Sequence, residues 1–412
     1  MRPTMGEVRL RARYVFPGTD RPLMGGVVTI RGERIVAVEH GVPGARVQDL
    51  GNVALLPGLI NAHTHLELSD VEQPIGAAGG GFVAWIEELI RRRQGRSLSA
   101  EAVIAGGLAE SVRQGVVAVA DTVQPGWPPG AYCAAPIDTA AFLELIGPTA
   151  ESVTAELELA TGHLSQGIGA KILGLSPHAP HTVHDALLDA IATLAARSGT
   201  LLSMHLAESR EEMQLLRWGT GPLRELLAAR GRWEASRFTV PKRPLDYLKR
   251  LAQAGRALVV HGNYLDDEEI AFLGQHRAGL SVVYCPRSHA HFGHSPYPLA
   301  KMLAAGVRVA LGTDSRASAP DLSVLAEMRA AARQHREVPG EAIVRMATLD
   351  AARALGWQHE MGSLEPGKLA HLTVVALPEG AETDPYALLL DGQTPVVGRW
   401  YRGRPEPATR WS

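Results

Sequence analysis

Histidine and acidic side chains stand at the ends of several apolar runs in this sequence. The first run, LLPGLINAHTH, ends in His63 and His65, which are two residues apart. Residues i and i+2 of a β-strand point to the same side, so both imidazoles would face one point. Three later runs end in His205, His261 and Asp314. Imidazoles and a carboxylate are ligands of borderline divalent cations, which favours Zn²⁺ and leaves Fe²⁺ as the alternative.

Eight short apolar runs, separated by stretches of helical periodicity, must bring these side chains together. The runs are LLPGLINAHTH, VVAVADTV, AAFLELIG, KILGLSPHAP, LLSMHLAES, ALVVHGNYL, LSVVYCPRSH and VRVALGTDS. Eight buried strands that alternate with helices predict an α/β fold of the (β/α)8 barrel type. In such a barrel the carboxyl ends of the strands surround the active site, so the histidines and Asp314 should meet there. Segment 210–256 is long for a connection and should add helices over that face.

The two ends of the chain show a different pattern. There, β-branched residues alternate or cluster between Gly, Pro and Asp, which is typical of short strands. We therefore expect residues 1–56 and 364–412 to form one small β-sandwich domain. Residues 57–363 should form the catalytic barrel domain.

Composition excludes several classes of protein. The 412 residues contain 41 Lys and Arg against 43 Asp and Glu, a net charge of −2. Binding to nucleic acid or to an anionic membrane surface would need a basic excess, so neither partner is expected. The chain also lacks the Cys-x-x-Cys signature of nucleic-acid base deaminases. Two cysteines, no signal peptide and no long apolar segment predict a soluble cytoplasmic protein with a small-molecule substrate, and leave a homo-oligomer open.

The motifs HTH, MHLAES, VHGNYL and GTDS resemble those of the amidohydrolase superfamily over essentially the whole chain. Within it they are most similar to the aminohydrolase branch, in the groups that deaminate aminodeoxyfutalosine and S-adenosylhomocysteine. The resemblance implies that one metal ion is held by His63, His65, His205 and Asp314. Two-metal members carry a carboxylated lysine at the end of the fourth strand. Here the only lysine of that run, Lys171, lies near its start.

The resemblance also implies the catalytic roles. Glu208, in the motif HLAE, looks like the proton shuttle between water and a ring nitrogen. Asp314 would orient the nucleophile as well as bind the metal, and His261 would support the developing oxyanion. A bound divalent cation can lower the pKa of water from about 15.7 to about 7. Taken alone, Glu208 could equally be a solvated acid at the start of a helix.

Four further residues are candidates for substrate contact, each with a structural alternative. Phe82 and Trp85 follow the first strand in GGGFVAWIEEL and could stack on a base or pack a helix. His178 matches a substrate-contacting histidine of the S-adenosylhomocysteine deaminase group, or it could serve the turn SPHAP. Glu67 could accept hydrogen bonds from ribose hydroxyls or cap the next loop.

The run YCPRSHAHFGH carries Arg287 and His289 after the seventh strand, and Arg316 follows the eighth. Together with HLELS it resembles the aminodeoxyfutalosine deaminase group of the menaquinone route, whose substrate bears a carboxylate. The fork of an arginine suits a carboxylate, so Arg287 and Arg316 are candidates to bind it. His289 would line the same end of the pocket. A second metal site among these histidines, and surface positions for both arginines, are the alternatives.

The sequence therefore predicts a metal-dependent hydrolytic deaminase of a purine nucleoside, with 6-amino-6-deoxyfutalosine as the best candidate. Deamination of S-adenosylhomocysteine, methylthioadenosine or adenosine is the first alternative. Hydrolysis of a cyclic amide is the second. A metal-free binding scaffold would have lost a ligand, whereas all four ligand positions are intact.

Overall fold

The computed structural model describes residues 6–41, 47–166, 170–380 and 382–407. Parts of the predicted ranges 1–56 and 364–412 therefore lie outside the described residues. At the chain ends are a four-stranded and a six-stranded sheet. In spatial order the first contains Arg34–His40, Gly26–Arg31, Glu7–Arg11 and Gln48–Asp49. The second contains Arg404–Pro407, Val396–Tyr401, Leu372–Ala376, Val53–Pro57, Tyr14–Val15 and Leu23–Met24.

The two terminal sheets share one apolar core. Leu10 and Ile30 of the four-stranded sheet pack with Leu55, Leu372 and Trp400 of the six-stranded sheet. Because each sheet covers the apolar face of the other, the pair forms the small sandwich predicted from both ends of the chain. The last strand before the barrel ends at Pro57, next to the predicted domain boundary.

Eight parallel strands form the barrel, and each is hydrogen-bonded to its neighbours in chain order. They are β1 (Leu59–Thr64), β2 (Val116–Val123), β3 (Asp138–Leu145), β4 (Ile172–Pro177), β5 (Leu202–Leu206), β6 (Ala257–His261), β7 (Leu280–Tyr284) and β8 (Val309–Leu311). The barrel closes where Thr64 and Asp314 form a parallel bridge. The N–H groups of Thr313 and Asp314 both donate to the carbonyl of His63, at 3.1 Å. The predicted (β/α)8 barrel is confirmed.

Helices surround the barrel, and every residue of β1, β2 and β3 is buried between them and the barrel interior. That burial on both faces explains why the strands read as continuous apolar runs. The helices are α1 (Phe82–Gln94), α2 (Ala100–Arg113), α3 (Pro129–Ala134), α4 (Val153–Ser165), α5 (Asp185–Ser198), α6 (Arg210–Trp218), α7 (Pro222–Ala229), α8 (Pro244–Gln253), α9 (Asp267–Gln275), α10 (Pro286–His291), α11 (Leu299–Ala304), α12 (Val324–Gln334), α13 (Gly340–Met346), α14 (Leu349–Leu355) and α15 (Pro385–Leu390). Short 3-10 turns lie at Leu66–Leu68, Ala150–Ser152 and Ala235–Phe238.

Segment 210–256 adds α6 and α7 before α8, as its length predicted. Helix α7 contacts α1, so the two helices cover the same part of the barrel mouth. Within the described ranges, none of the helices combines the length and the apolar character needed to cross a bilayer.

Candidate active site

Four buried side chains converge at the carboxyl ends of β1, β5 and β8. The Nε2 atom of His205 lies 3.3 Å from the Nε2 atoms of both His63 and His65. Asp314 Oδ1 lies 3.8 Å and 3.9 Å from the same atoms of His63 and His65. A tetrahedral zinc ion with nitrogen ligands at about 2.0–2.1 Å separates those nitrogens by about 3.3 Å. The separation of the His205 nitrogen from those of His63 and His65 is therefore that of two ligands of a single ion, and Asp314 Oδ1 lies within 4 Å of the latter two.

The histidines of this cluster are held in the neutral form that metal ligation requires. Burial, reinforced by the neighbouring histidines, keeps the pKa of His63 and of His65 well below the usual range. Burial also lowers the pKa of His205 to about 4. His205 Nδ1 donates to the carbonyl oxygen of His178 at 3.0 Å, since a carbonyl can only accept. The lone pair of His205 is therefore on Nε2, which points into the cluster.

Asp314 is oriented by two hydroxyl groups. Ser288 and Ser318 both donate to its Oδ2 atom at 2.7 Å, which leaves Oδ1 toward His63 and His65. Its backbone has φ 57°, in the left-handed region that a residue with a side chain rarely adopts. Strained backbone of this kind is concentrated at functional sites, where the surrounding structure holds it in place.

Glu208 and His261 stand beside the cluster. His261 Nε2 lies 3.4 Å from Glu208 Oε1. Burial raises the pKa of Glu208 well above its usual range, and the charge of Asp314 adds to the shift. A carboxyl group with a raised pKa can hold and release a proton near neutral pH, which is what a proton shuttle requires. His261 also has a positive φ, of 72°.

The backbone around Glu208 is fixed by residues that do not face the reaction. The carboxylate of Glu212 accepts the N–H groups of Ala207 at 2.8 Å and Glu208 at 3.1 Å. Asn263 Nδ2 donates to the carbonyl oxygen of Glu208 at 2.8 Å. Glu212 is not among the residues predicted from sequence, although Ser209 and Glu212 have the spacing of a capping box, in which both side chains bond to the start of a helix.

These groups open into a cavity of about 620 Å³. Its floor includes the metal-ligand cluster, Glu208 and His261. One wall is apolar and comes largely from α1 and α7. The lining residues are His65, Leu68, Phe82, Trp85, Ile86, Leu89, Ile90, Arg93, Glu144, Ile146, His178, His181, Thr182, His205, Glu208, Leu226, Leu227, Arg230, Arg232, His261, Asp314 and Ser315. The volume and the lining suit a ligand of nucleoside size.

Three of the predicted substrate contacts lie in this cavity. Phe82 and Trp85 line it with their rings stacked 6.0 Å apart, and Trp85 Nε1 donates to the carbonyl of Ala317 at 3.0 Å. His178 lines the opposite side, where its Nδ1 is 2.6 Å from the hydroxyl of Thr182. Substrate contact by these residues stays a prediction.

Glu67 and Arg316 lie outside the cavity lining, and their charged groups form ion pairs with other residues of the protein. The Glu67 carboxylate is buried against the guanidinium groups of Arg93 and Arg96. Arg316 forms an ion pair with Glu110 at 2.8 Å and also donates to two backbone carbonyls. Neither side chain lines the cavity, so the expected contacts to ribose and carboxylate are not supported by their positions.

Arg287 and His289 are also outside the cavity lining. Arg287 is paired with Glu327 at 2.5 Å and with Asp321 at 2.8 Å. His289 Nε2 donates to the carbonyl of Ser295 at 2.9 Å. Both residues are therefore engaged within the protein, and a substrate carboxylate would have to meet other groups.

The segment that contains Arg287 and His289 holds Asp314 and His261 in place. Its Ser288 orients Asp314, and the buried hydroxyl of Tyr297 donates to the carbonyl of His261 at 2.8 Å. In the described part of the chain, the groups of three or more side chains spaced as metal ligands are His63, His205 and His261, and His63, His65 and Asp314. Neither group includes the histidines of this segment, so the alternative of a second metal site has no support.

Lys171 lies far from the cluster. Its ammonium group pairs with Asp138 at 2.9 Å and with Glu360 at 2.6 Å, at the amino-terminal end of the barrel. A lysine bridge between two metal ions would have to come from the other end of β4. The positions of these residues therefore favour a site for one ion.

The sequence is similar to that of known proteins over most of its length. The profile of the amidohydrolase family matches residues 54–406. The chain is 32% identical to a 5-methylthioadenosine/S-adenosylhomocysteine deaminase of Moorella thermoacetica, over 90% of this chain and 86% of the relative. It is also 32% identical to an aminodeoxyfutalosine deaminase of Deinococcus radiodurans, over 81% of each chain.

Solved structures agree with this relationship. An adenosine deaminase of Xanthomonas campestris with bound zinc superposes with a TM-score of 0.79 at 25% identity, over 99% of this chain and 98% of the other. The aminofutalosine deaminase of Helicobacter pylori with methylthio-coformycin has a TM-score of 0.82 at 23% identity, over 97% of this chain and 100% of the other, a likeness of fold. With its profile match and relatives above 30% identity over most of its length, the chain belongs to the amidohydrolase family and is a metal-dependent hydrolase of carbon–nitrogen bonds.

Proposed function

We propose that this enzyme hydrolytically deaminates a 6-aminopurine nucleoside and releases ammonia. The observation that carries the proposal is the placement of Glu208, His261 and Asp314 around the metal-ligand cluster, at the floor of a cavity of nucleoside size. The names of the relatives at 32% identity support it, because all of them refer to deamination of a 6-aminopurine nucleoside.

The ion in this proposal is one Zn²⁺, with Fe²⁺ as the alternative. Three neutral imidazole nitrogens and one carboxylate oxygen fit either ion. The solved relative from Xanthomonas campestris, which contains zinc, supports the first. When bound, a divalent ion of this kind lowers the pKa of water and so supplies a nucleophile at neutral pH.

The side chains of this protein then move the protons. Water adds to the amino-bearing ring carbon, and Glu208 transfers a proton to the adjacent ring nitrogen. His261 Nε2 stabilises the negative charge that develops on the attacking oxygen. Asp314 orients the nucleophile, takes the remaining proton from the added hydroxyl group and passes it to the departing amino group. The carbon–nitrogen bond breaks, ammonia leaves, and the ring carbon becomes a carbonyl.

Within this class we propose 6-amino-6-deoxyfutalosine as the substrate. Its support is the resemblance of HLELS and CPRSHAHFGH, together with the relative from Deinococcus radiodurans. Methylthioadenosine and S-adenosylhomocysteine are the second candidates, because the relative from Moorella thermoacetica has the same identity over more of the chain.

The test is a deamination screen with the metal-loaded enzyme. We would measure ammonia release with 6-amino-6-deoxyfutalosine, S-adenosylhomocysteine, methylthioadenosine and adenosine, and follow the absorbance change from a 6-aminopurine to a 6-oxopurine. Turnover of at least one nucleoside is expected. If none releases ammonia, the proposed function is wrong. A cyclic amide that is opened without ammonia would then be the better assignment.

A further inference from the structure

The apolar wall of the cavity ends in charged residues. Along α1, the lining residues recur with the spacing of one helix face: Phe82, Trp85, Ile86, Leu89, Ile90 and Arg93. The stripe is apolar until its last member, Arg93. Because α1 contacts α7 over the mouth, the wall continues onto the second helix.

The cavity-lining residues of α7 are also apolar and are also followed by arginines. Leu226 and Leu227 line the cavity, and Arg230 and Arg232 follow directly after the helix ends at Ala229. Arg230 and Arg232 are exposed and lie where the cavity opens to solvent, whereas Arg93 bonds to the buried Glu67, two residues after His65.

The three arginines differ in how their charge is compensated. Arg93 pairs with the buried carboxylate of Glu67. Arg230 and Arg232 are exposed, and no carboxylate in residues 6–41, 47–166, 170–380 and 382–407 forms an ion pair with either of them. Within the described residues, both guanidinium groups on this side of the mouth are therefore without a direct ion pair, and the acidic group whose charge acts on Arg232 is Glu156.

Arg232 lies on the side of the mouth formed by the loops after β3 and β4. Burial raises the pKa of Glu156, and the positive charge of Arg232 opposes that shift, so the two side chains are near each other. Glu156 accepts the backbone N–H of Ile146 at 3.2 Å, and Ile146 lines the cavity. The cavity therefore has the cluster of histidine and carboxyl groups at its floor and Arg230 and Arg232 at its opening.

We propose that Arg230 and Arg232 form a subsite for an anionic group at the far end of the nucleoside, a carboxylate on the substituent of the ribose 5′ carbon. This inference rests on the proposed function. It adds the chemical nature of the group that the substrate carries at the end away from the base. A guanidinium group binds a carboxylate through two parallel hydrogen bonds. The apolar wall between floor and rim suits an uncharged, ring-containing linker.

The subsite also ranks the candidate substrates. A substituent with a carboxylate and no positive charge gains the full attraction of both arginines. The homocysteine group of S-adenosylhomocysteine carries an ammonium beside its carboxylate, so the arginines repel part of it. Methylthioadenosine and adenosine have no anionic group to bind.

The experiment compares Arg230→Ala, Arg232→Ala and the double variant with the wild type, on 6-amino-6-deoxyfutalosine and on adenosine. We expect kcat/KM for the carboxylate-bearing nucleoside to fall about tenfold or more in each single variant, mainly through KM. For adenosine it should change by less than about twofold. Arg217→Ala is the matched control, because Arg217 is an exposed arginine on α6 that stacks on Trp218 outside the cavity.

The outcomes separate the two proposals. A wild type that deaminates no 6-aminopurine nucleoside overturns the proposed function. A wild type that deaminates both nucleosides, with variants that lose both activities equally or neither, overturns the anion subsite alone. Added salt provides a second readout, since it should raise KM for the carboxylate-bearing nucleoside and leave KM for adenosine unchanged.

Discussion

The position of the Glu208 side chain depends on strained backbone at the preceding residue, which neighbouring side chains must hold in place. Ala207, the residue before it, has φ 54°, a conformation that costs a residue with a side chain about 1–2 kcal/mol. The two hydrogen bonds to the carboxylate of Glu212 and the one from Asn263 oppose that cost. Glu212, which does not line the cavity, therefore determines where the Glu208 carboxyl group stands.

The first prediction concerns Glu208 itself. Glu208→Gln removes the proton carrier but keeps the size and the hydrogen-bonding ability of the side chain. We expect kcat to fall by about 10²–10⁴-fold, the usual contribution of a general acid–base group, while the metal content is unchanged. Steady-state kinetics and elemental analysis of the same preparation would measure both. A variant that retains most of its kcat with full metal occupancy would exclude the role.

The second prediction concerns the positioning residue Glu212. In Glu212→Gln one acceptor oxygen becomes an NH₂ group, which cannot accept the N–H of Ala207 or Glu208. We expect kcat to fall about tenfold with little change in KM, because the substrate does not touch this residue. Glu211→Gln, an exchange at the neighbouring residue of α6, is the matched control. An equal loss in both variants would show that Glu212 has no special part.

The third prediction is a pH dependence of stability. Burial raises the pKa of Glu212 to about 7. The carboxyl therefore binds its proton more tightly in the folded than in the unfolded protein. Its contribution to stability is complete below about pH 4.5 and is lost as the pH rises through about 7.

Denaturant unfolding of wild type and Glu212→Gln at several pH values would measure this contribution. Between pH 5 and 7.5 the unfolding free energy of the wild type should fall relative to that of Glu212→Gln, because only the wild type has a titrating carboxyl group at position 212. Equal slopes for both proteins would contradict the assigned pKa.

At the scale of elements, one buried arginine joins the loops that carry His178. Arg237 donates through its guanidinium group to the backbone carbonyls of Pro148, Pro180, His181 and Val183. These carbonyls belong to the loops after β3 and β4. The short turn at Ala235–Phe238, inside the long segment after β5, therefore fixes part of the opposite side of the cavity.

The fourth prediction follows from that link. Arg237→Met fills similar space but leaves the buried carbonyls without donors, at a cost of about 3 kcal/mol or more. We expect a lower Tm and faster hydrogen exchange in the loops after β3 and β4. Arg224→Met on α7, where the arginine stacks on Trp233 at 5.5 Å, is the control and should change Tm little. Loops that exchange at the wild-type rate would show that Arg237 does not hold them.

The strands could be predicted from sequence, and so could the convergence of the proposed ligand residues at their ends, whereas the ion pairs could not. A parallel strand that is buried on both faces must be apolar throughout, and a polar residue at its end is then conspicuous, as His205 and His261 are. Arg287 and Glu327 are 40 residues apart, and only the packing of α10 against α12 reveals that they pair. Arg230 and Arg232 carry no sequence signal, because their role depends on how α7 docks over the mouth.

At the scale of the whole molecule, the fifth prediction is the effect of metal removal. A chelator should abolish activity and lower Tm, since an ion that binds only the folded state stabilises it by mass action. Adding one equivalent of Zn²⁺ or Fe²⁺ per chain should restore both. Elemental analysis that finds two ions per chain would overturn the assignment of a single site. His178→Ala, which keeps all four ligands, is the control for metal content.

The barrel closes through Asp314, a proposed metal ligand, and through Thr64, which lies between the proposed ligands His63 and His65. Thr64 and Asp314 are 250 residues apart, and the hydroxyl of Thr64 donates to the carbonyl of Asp314 at 2.9 Å. During synthesis, the side chains contributed by β1 must therefore wait for β8 to leave the ribosome before a complete site exists. Partly made or nicked chains that lack β8 have no catalytic Asp314 and no closed ring. We therefore expect activity in this enzyme only after the last barrel strand has been inserted, and chains without it should be inactive.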